Sequence, residues 1–307
     1  MQAYVFPGQG SQTVGMLADV AAAYPLVTET FAEASAVLGY DLWQLVQHGP
    51  AEQLNDTQRT QPALLTASVA LYRVLQQAGV PAPQYFAGHS LGEYSALVCA
   101  GVLSLRDAVA LVAARGEFMQ QAVPAGIGAM AAIIGLADDE VVAACAEAAA
   151  DEVVAAVNFN SPGQVVIAGH SAAVARAGEA CKARGAKRAL PLPVSVPSHC
   201  ALMRPAAEQL AARLAQLHLQ APTIPVINNV DVSAEQTPEA IRDALVRQLY
   251  SPVRWTETVA FLAAQGVTEL VEIGPGKVLT GLNKRIVDGI QADACNTVET
   301  LQARIQA

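Results

Sequence analysis

The sequence predicts an α/β fold with a mostly parallel sheet, interrupted by a smaller ferredoxin-like unit. Three observations predict it. Short apolar runs alternate with longer stretches of helical period, as when each strand needs a crossover helix before its next parallel neighbour. In the middle of the chain the order changes to a β-α-β-β-α-β series, the split βαβ arrangement. The chain is also 307 residues long, 53% apolar and only 15% charged, enough for one large core carrying a subdomain.

In chain order, Ala3–Phe6 reads as the first strand and ends at Pro7-Gly8-Gln9-Gly10-Ser11-Gln12. A helix is expected over Thr60–Gly79, a short strand over Gln84–Ala87, and a helix over Ser90–Ala100 entered straight from that strand. Ser104–Gln121 is a further helix, with Ser104 as N-cap and Asp107 three residues on, close to a capping box. The inserted series then runs strand Ala129–Ile134, helix Asp138–Ala150, strand Val153–Asn158, strand Gln164–Gly169, helix Ala172–Arg184 and strand Ala189–Leu192. Its middle strands are joined by the expected turn Asn160-Ser161-Pro162-Gly163. Alternation resumes with helix Arg204–Gln216, strand Val226–Asn228, helices Pro238–Leu249 and Thr256–Gln265, and strand Glu269–Ile273. The predicted division is therefore a catalytic subdomain over 1–124 and 195–307, with the ferredoxin-like subdomain over 125–194.

Composition removes several function classes. A net charge of −9 argues against general nucleic-acid binding, which needs clustered Lys and Arg on phosphates. The apolar run Ala96–Leu103 is far short of the ~20 residues of a membrane span. Met1–Phe6 lacks the basic start of a signal peptide. Five cysteines, Cys99, Cys145, Cys181, Cys200 and Cys295, form no C-x-x-C pair, so reduced thiols in the cytoplasm are expected. Neither His nor Cys shows metal-ligand spacing, and no metal is expected. Gly274-Pro275-Gly276-Lys277 lacks the spacing of a phosphate-binding loop.

Gly88-His89-Ser90-Leu91-Gly92 carries the chemistry. It has the G-x-S-x-G pattern where a strand turns directly into a helix, the context of a nucleophile elbow and of an α/β-hydrolase-like large subdomain. The turn exposes the hydroxyl and aims the first helical N–H groups at the same point, where an oxyanion would form. The same residues also describe a tight turn with Ser90 as an N-cap. A serine nucleophile needs a base, and five histidines are available. His48 and His218 adjoin proline turns and read as solvated, His170 follows a subdomain strand, and His89 must leave the elbow in another direction. His199 ends the Pro-rich stretch Pro191–Ser198, where it is either the base or a structural loop histidine. No carboxylate stands in an obvious place to orient it: Asp138, Asp139 and Glu140 start a helix, while Asp151 and Glu152 read as solvated. Arg115 lies at the edge of the apolar stripe of its helix. It either snorkels to water or meets an anion, because an unpaired buried charge is costly.

Phe6-Pro7-Gly8-Gln9-Gly10-Ser11-Gln12 and Gly88-His89-Ser90-Leu91-Gly92-Glu93-Tyr94 together resemble the malonyl-CoA:acyl carrier protein transacylases of fatty acid synthesis. The related acyltransferase domains of polyketide synthases share the pattern. The resemblance continues through Asn158-Phe159-Asn160-Ser161-Pro162-Gly163-Gln164, Pro197-Ser198-His199-Cys200 and Glu272-Ile273-Gly274-Pro275, so it spans nearly the whole chain. It implies Ser90 as nucleophile and His199 as its base, oriented by a backbone carbonyl near Gln248 in place of an acid. It further implies the Gln9 and Leu91 N–H groups as the oxyanion hole and Arg115 as the group that grips the malonyl carboxylate, with Asn160 and Gln248 also on the substrate side. A planar guanidinium suits that task, since it holds a carboxylate bidentately.

The implied partners are malonyl-CoA and acyl carrier protein, with the coenzyme A thioester as substrate and no resident cofactor. A cytoplasmic monomer with no nucleic-acid or membrane partner is expected. Basic residues near the site opening should meet these anionic partners, and two groups offer themselves: Lys182, Arg184, Lys187 and Arg188, and the pair Lys284 and Arg285. Solvated helix ends describe both equally well. The competing readings are a serine esterase or thioesterase, a discrete polyketide acyltransferase, and a non-catalytic acyl-CoA sensor. The short ends, without carrier or synthase domains, favour the fatty-acid enzyme.

Overall fold

In the computed structural model, which describes residues 1–194 and 196–307, two sheets form. Among the described residues the strands are β1 (Gln2–Phe6), β2 (Tyr85–Gly88), β3 (Gly128–Ile134), β4 (Val154–Ser161), β5 (Gln164–His170), β6 (Arg188–Pro191), β7 (Val226–Ile227), β8 (Glu269–Ile273) and β9 (Gln291–Cys295). The larger sheet has the order β7-β2-β1-β8-β9, and every pairing within it is parallel.

Alternation along the strands decides how this sheet is covered. Tyr4, Phe6, Phe86, Val271 and Ile273 face one core, with helices Leu26–Leu38, Thr57–Gln77, Leu91–Cys99, Leu105–Ala122 and Arg204–Leu214. Ala3, Val5, Ala87, Ile227 and Leu270 face the other, against helices Trp255–Ala264 and Val278–Asn283. Parallel strands covered on both faces read as continuous apolar runs, and the short runs at Ala3–Phe6 and Glu269–Ile273 are legible for that reason.

The smaller sheet is antiparallel throughout, in the order β4-β5-β3-β6. That is the order expected when two crossover helices place the first and third strands of a split βαβ series side by side. Helices Asp138–Ala149 and Ser171–Ala183 cover one face through Val141, Ala144, Val174 and Ala177. The other face packs Met130, Val157, Val166 and Ala168 against Cys200. This unit is tied through backbone to the segment between helices Pro238–Gln248 and Trp255–Ala264: Phe159 N donates to Val253 O at 3.0 Å and Val253 N donates to Val157 O at 2.8 Å.

One difference from the sequence-based expectation bears on the site. β4 runs on to Ser161, so Asn160 lies in a strand and only Pro162-Gly163 turns. Pairing with Val253 on its free edge, with register shifts near Asn158 and Ser161, holds the extra residues extended. The long helix also begins earlier than expected, at Thr57, because the Asp56 side chain caps it by accepting from Gln58 N at 3.2 Å. No helix among the described residues is long and apolar enough to cross a membrane.

Candidate active site

Ser90 sits at the carboxyl end of β2 with φ 52° and ψ −107°, a strained conformation for a residue with a Cβ. The flanking glycines are required by contact. A Cβ on Gly88 would lie 1.9 Å from the Gly92 carbonyl carbon, and one on Gly92 would lie 2.0 Å from the Phe6 carbonyl oxygen. The N-cap reading of Ser90 does not hold, since its side chain accepts nothing from the following helix. Its hydroxyl lies instead 2.8 Å from His199 Nε2. The strained turn is stapled by Asn229, whose Oδ1 accepts from Ser90 N and whose Nδ2 donates to Gly88 O, each at 2.7 Å.

His199 arrives from the loop before helix Arg204–Leu214 and is only 4% exposed. Its own N–H donates to Leu249 O at 3.0 Å, which anchors a residue at φ 65°. Nδ1 lies 2.7 Å from the Gln248 carbonyl oxygen. A carbonyl only accepts, so Nδ1 carries the proton and Nε2 of the neutral ring presents its lone pair to Ser90. Burial, and next the Arg115 charge, push the imidazole down to about 3. The ring is therefore neutral at physiological pH.

Arg115 is 2% exposed, so the snorkelling alternative is removed. Close approach of helices Thr57–Gln77 and Leu105–Ala122 buries it: a Cβ on the adjacent Gly116 would stand 2.5 Å from Gln58 Cα. Its guanidinium donates to Gln61 Oε1 at 2.8 Å, to Gln248 Oε1 at 3.0 Å and to Ser90 Oγ at 3.3 Å, and it lies over the Tyr94 ring at 5.2 Å. Among the described residues no carboxylate comes within ion-pair distance of it, and its Nε meets no acceptor. This is a buried cation held only by neutral oxygens, beside the serine hydroxyl.

A cavity of about 530 Å³ opens onto these groups, with Gln9, Leu91, Arg115, Met130 and His199 in its wall. Among the described residues neither the Gln9 nor the Leu91 backbone N–H meets an acceptor. The Gln9 side chain is turned aside by Thr57 Oγ1, which donates to its Oε1 at 3.1 Å. Asn160 does not reach the serine. Its Oδ1 bonds His89 Nε2 at 2.8 Å, and the His89 ring lies 5.7 Å from that of Trp255, so this histidine leaves the elbow in another direction than the serine hydroxyl. His48 and His218 are exposed, and His170 Nδ1 accepts from Val153 N. Of the basic groups, Arg184 pairs with Glu140 and Glu147, and Lys182 with Glu179, inside the subdomain. Lys284 and Arg285 are exposed and without ion pairs among the described residues.

Three participants in this network escape a residue-by-residue reading of the sequence: Gln61, Glu93 and Asn229. Glu93 alone left a signal, a carboxylate in the first turn of a helix that is otherwise buried. Gln61 and Asn229 have no local signature, because their partners lie 54 and 139 residues away.

Comparison with known proteins places this geometry among relatives. The family profile described as acyl transferase domain matches residues 3–304. The chain is 70% identical over 304 residues to the malonyl CoA-acyl carrier protein transacylase of Escherichia coli (strain K12), covering 99% of this chain and 98% of that one. It superposes with a TM-score of 0.97 on the crystal structure of an acyl carrier protein S-malonyltransferase from Vibrio cholerae, 68% identical, covering 98% of this chain and 99% of that one. A malonyl-transacylase solved in complex with its type II polyketide acyl-carrier protein superposes with a TM-score of 0.99 at 63% identity, covering 99% of each chain.

Proposed function

The chain belongs to the acyl transferase domain family, and from that premise we propose a ping-pong transfer of malonyl from malonyl-CoA to the phosphopantetheine thiol of acyl carrier protein. The enzyme is a malonyl acyltransferase that feeds fatty acid synthesis. The observation that carries the reading is the buried Arg115 guanidinium, free of any ion pair among the described residues and 3.3 Å from Ser90 Oγ. A cation in that position seeks an acyl group with a negative far end.

In the first half-reaction Ser90 Oγ attacks the thioester carbonyl while its proton passes to His199 Nε2. The Gln9 and Leu91 N–H groups receive the oxyanion. The C–S bond breaks, and coenzyme A leaves as the thiol with the proton from Nε2. In the second half-reaction the carrier's thiol gives its proton to Nε2 and attacks the malonyl-serine ester, and Ser90 recovers its proton as the C–O bond breaks. A carbonyl behind the histidine stabilises the imidazolium less than a carboxylate does. A thiol is a far better leaving group than an amine, so the lighter demand is met. Substrate helps as well: a malonyl carboxylate neutralises Arg115 and lifts one of the two main causes that depress His199.

Intact mass measurement after mixing the protein with several acyl-CoAs and no acceptor tests the reading. One stable malonyl adduct per chain is expected. Continuous turnover to free malonate would instead make the protein a hydrolase.

The base assignment has its own readout. NMR titration of the His199 ring should show a neutral Nδ1–H tautomer down to about pH 5, without the ordinary histidine inflection at about 6.5. An inflection there would contradict it. As pH falls through about 6.5 the unfolded chain takes up a proton that the native ring refuses. The stability tied to this ring is complete above that value and is lost as pH falls toward about 3.

A further inference from the structure

Glu93 takes no part in the steps above, yet it is 2% exposed beneath the site. Its Oε2 accepts from Gln248 Nε2 at 2.8 Å and from Asn229 N at 2.9 Å. The Gln248 amide has two possible orientations, and its surroundings permit one. Nε2 faces three acceptors, Glu93 Oε2, Ser90 O at 3.1 Å and, more distantly, Asn229 Oδ1 at 3.5 Å, while Oε1 faces the Arg115 donor at 3.0 Å. A flipped amide would set oxygen against oxygen and NH₂ against guanidinium.

We propose that Glu93 is a positioning residue for substrate selection: its Oε2 sets the polarity of the Gln248 amide, and that amide aims Arg115 at the carboxylate end of the acyl group. The inference rests on the reading of Arg115 as the carboxylate-gripping group. Glu93 acts as an acceptor at a fixed distance, and its charge is secondary. Burial pushes its carboxyl up to about 7, so it spends part of its time protonated at working pH. Protonation on Oε1 leaves Oε2 free to accept in either state.

Three variants separate the possibilities, each assayed for acyl-enzyme formation from malonyl-CoA and from acetyl-CoA beside the parent protein. Glu93→Gln keeps an acceptor at the same reach and should retain the parental preference. Glu93→Asp keeps the charge but withdraws the acceptor by one methylene, and Glu93→Met removes it. Both should lower kcat/KM for malonyl-CoA by about 10- to 100-fold, as a misaimed binding group does, with the loss mainly in KM. Acetyl-CoA, which makes no use of Arg115, should lose much less. The Asp and Gln variants suffice should the Met variant fold poorly. Parental behaviour in Asp with loss in Gln would make charge the agent and overturn the proposal, as would parallel losses on both thioesters or no loss in Asp. A parent without malonyl preference would remove the Arg115 reading itself. A malonyl-preferring parent with unaltered variants would remove only the role of Glu93.

Discussion

Ser90→Ala is expected to leave a folded protein that forms no acyl adduct and turns over about 10,000- to 1,000,000-fold more slowly, the range seen when a hydroxyl nucleophile is deleted from a catalytic unit. Stability should change little. Ser90 already stands at φ 52°, so alanine inherits the strain without adding to it. The Asn229 staple uses only the backbone of residue 90, and Arg115 keeps Gln248 Oε1 and Gln61 Oε1 as acceptors. His199→Ala should cost a comparable factor, and the double variant should be little worse than Ser90→Ala, because a base without its nucleophile has nothing to activate. Stopped-flow acylation with intact mass measurement checks the set. Persistent labelling of Ser90→Ala by malonyl-CoA would place the nucleophile elsewhere.

Arg115→Ala is expected to remove the preference for malonyl over acetyl groups, a shift of about 10,000-fold or more in relative kcat/KM when a site built around a polar group loses that group. Two effects act in the same direction. Malonyl-CoA loses its partner for the carboxylate, while His199, freed of a neighbouring cation, becomes a stronger base for any thioester that still binds. Acetyl transfer should therefore persist or rise. The variant should also be less stable, since Gln61 Oε1 and Gln248 Oε1 lose their donor at about 1–3 kcal/mol for each buried unsatisfied group. Arg115→Lys, which keeps the charge without the planar fork, separates the two contributions: it should fold better and still discriminate poorly. An unchanged malonyl preference in either variant, measured by competition between the two thioesters, would refute the assignment.

The elbow was legible because its demands are local. Gly88, Ser90 and Gly92 must be what they are within a few residues of one another, where the carbonyls of Phe6 and Gly92 leave no room for a Cβ. The split βαβ series was legible for the same reason, since its strands alternate and its helices show their own period. Helices Leu26–Leu38 and Leu42–His48 and the edge strand β9 were not read from the pattern. β9, Gln-Ala-Asp-Ala-Cys, has no β-branched residue, and its conformation is imposed by pairing with β8. Family resemblance named His199, Arg115, Gln9, Leu91, Asn160 and Gln248 and set a carbonyl near Gln248 behind the histidine, but it did not give the side-chain contacts among them.

The sequence by itself thus determined a strand, a strained turn and a helix with a serine at the apex, together with the order of elements around them. Only the tertiary structure decided that Arg115 is buried without a counter-ion among the described residues, that Asn160 bonds His89, and that Gln248, whose carbonyl holds the imidazole, also holds the guanidinium by its side-chain amide. The physical reason is range. Turn sterics and periodicity act between neighbours in the chain, whereas these bonds join residues 49 to 133 positions apart, which meet only once the sheet and its helices are in place.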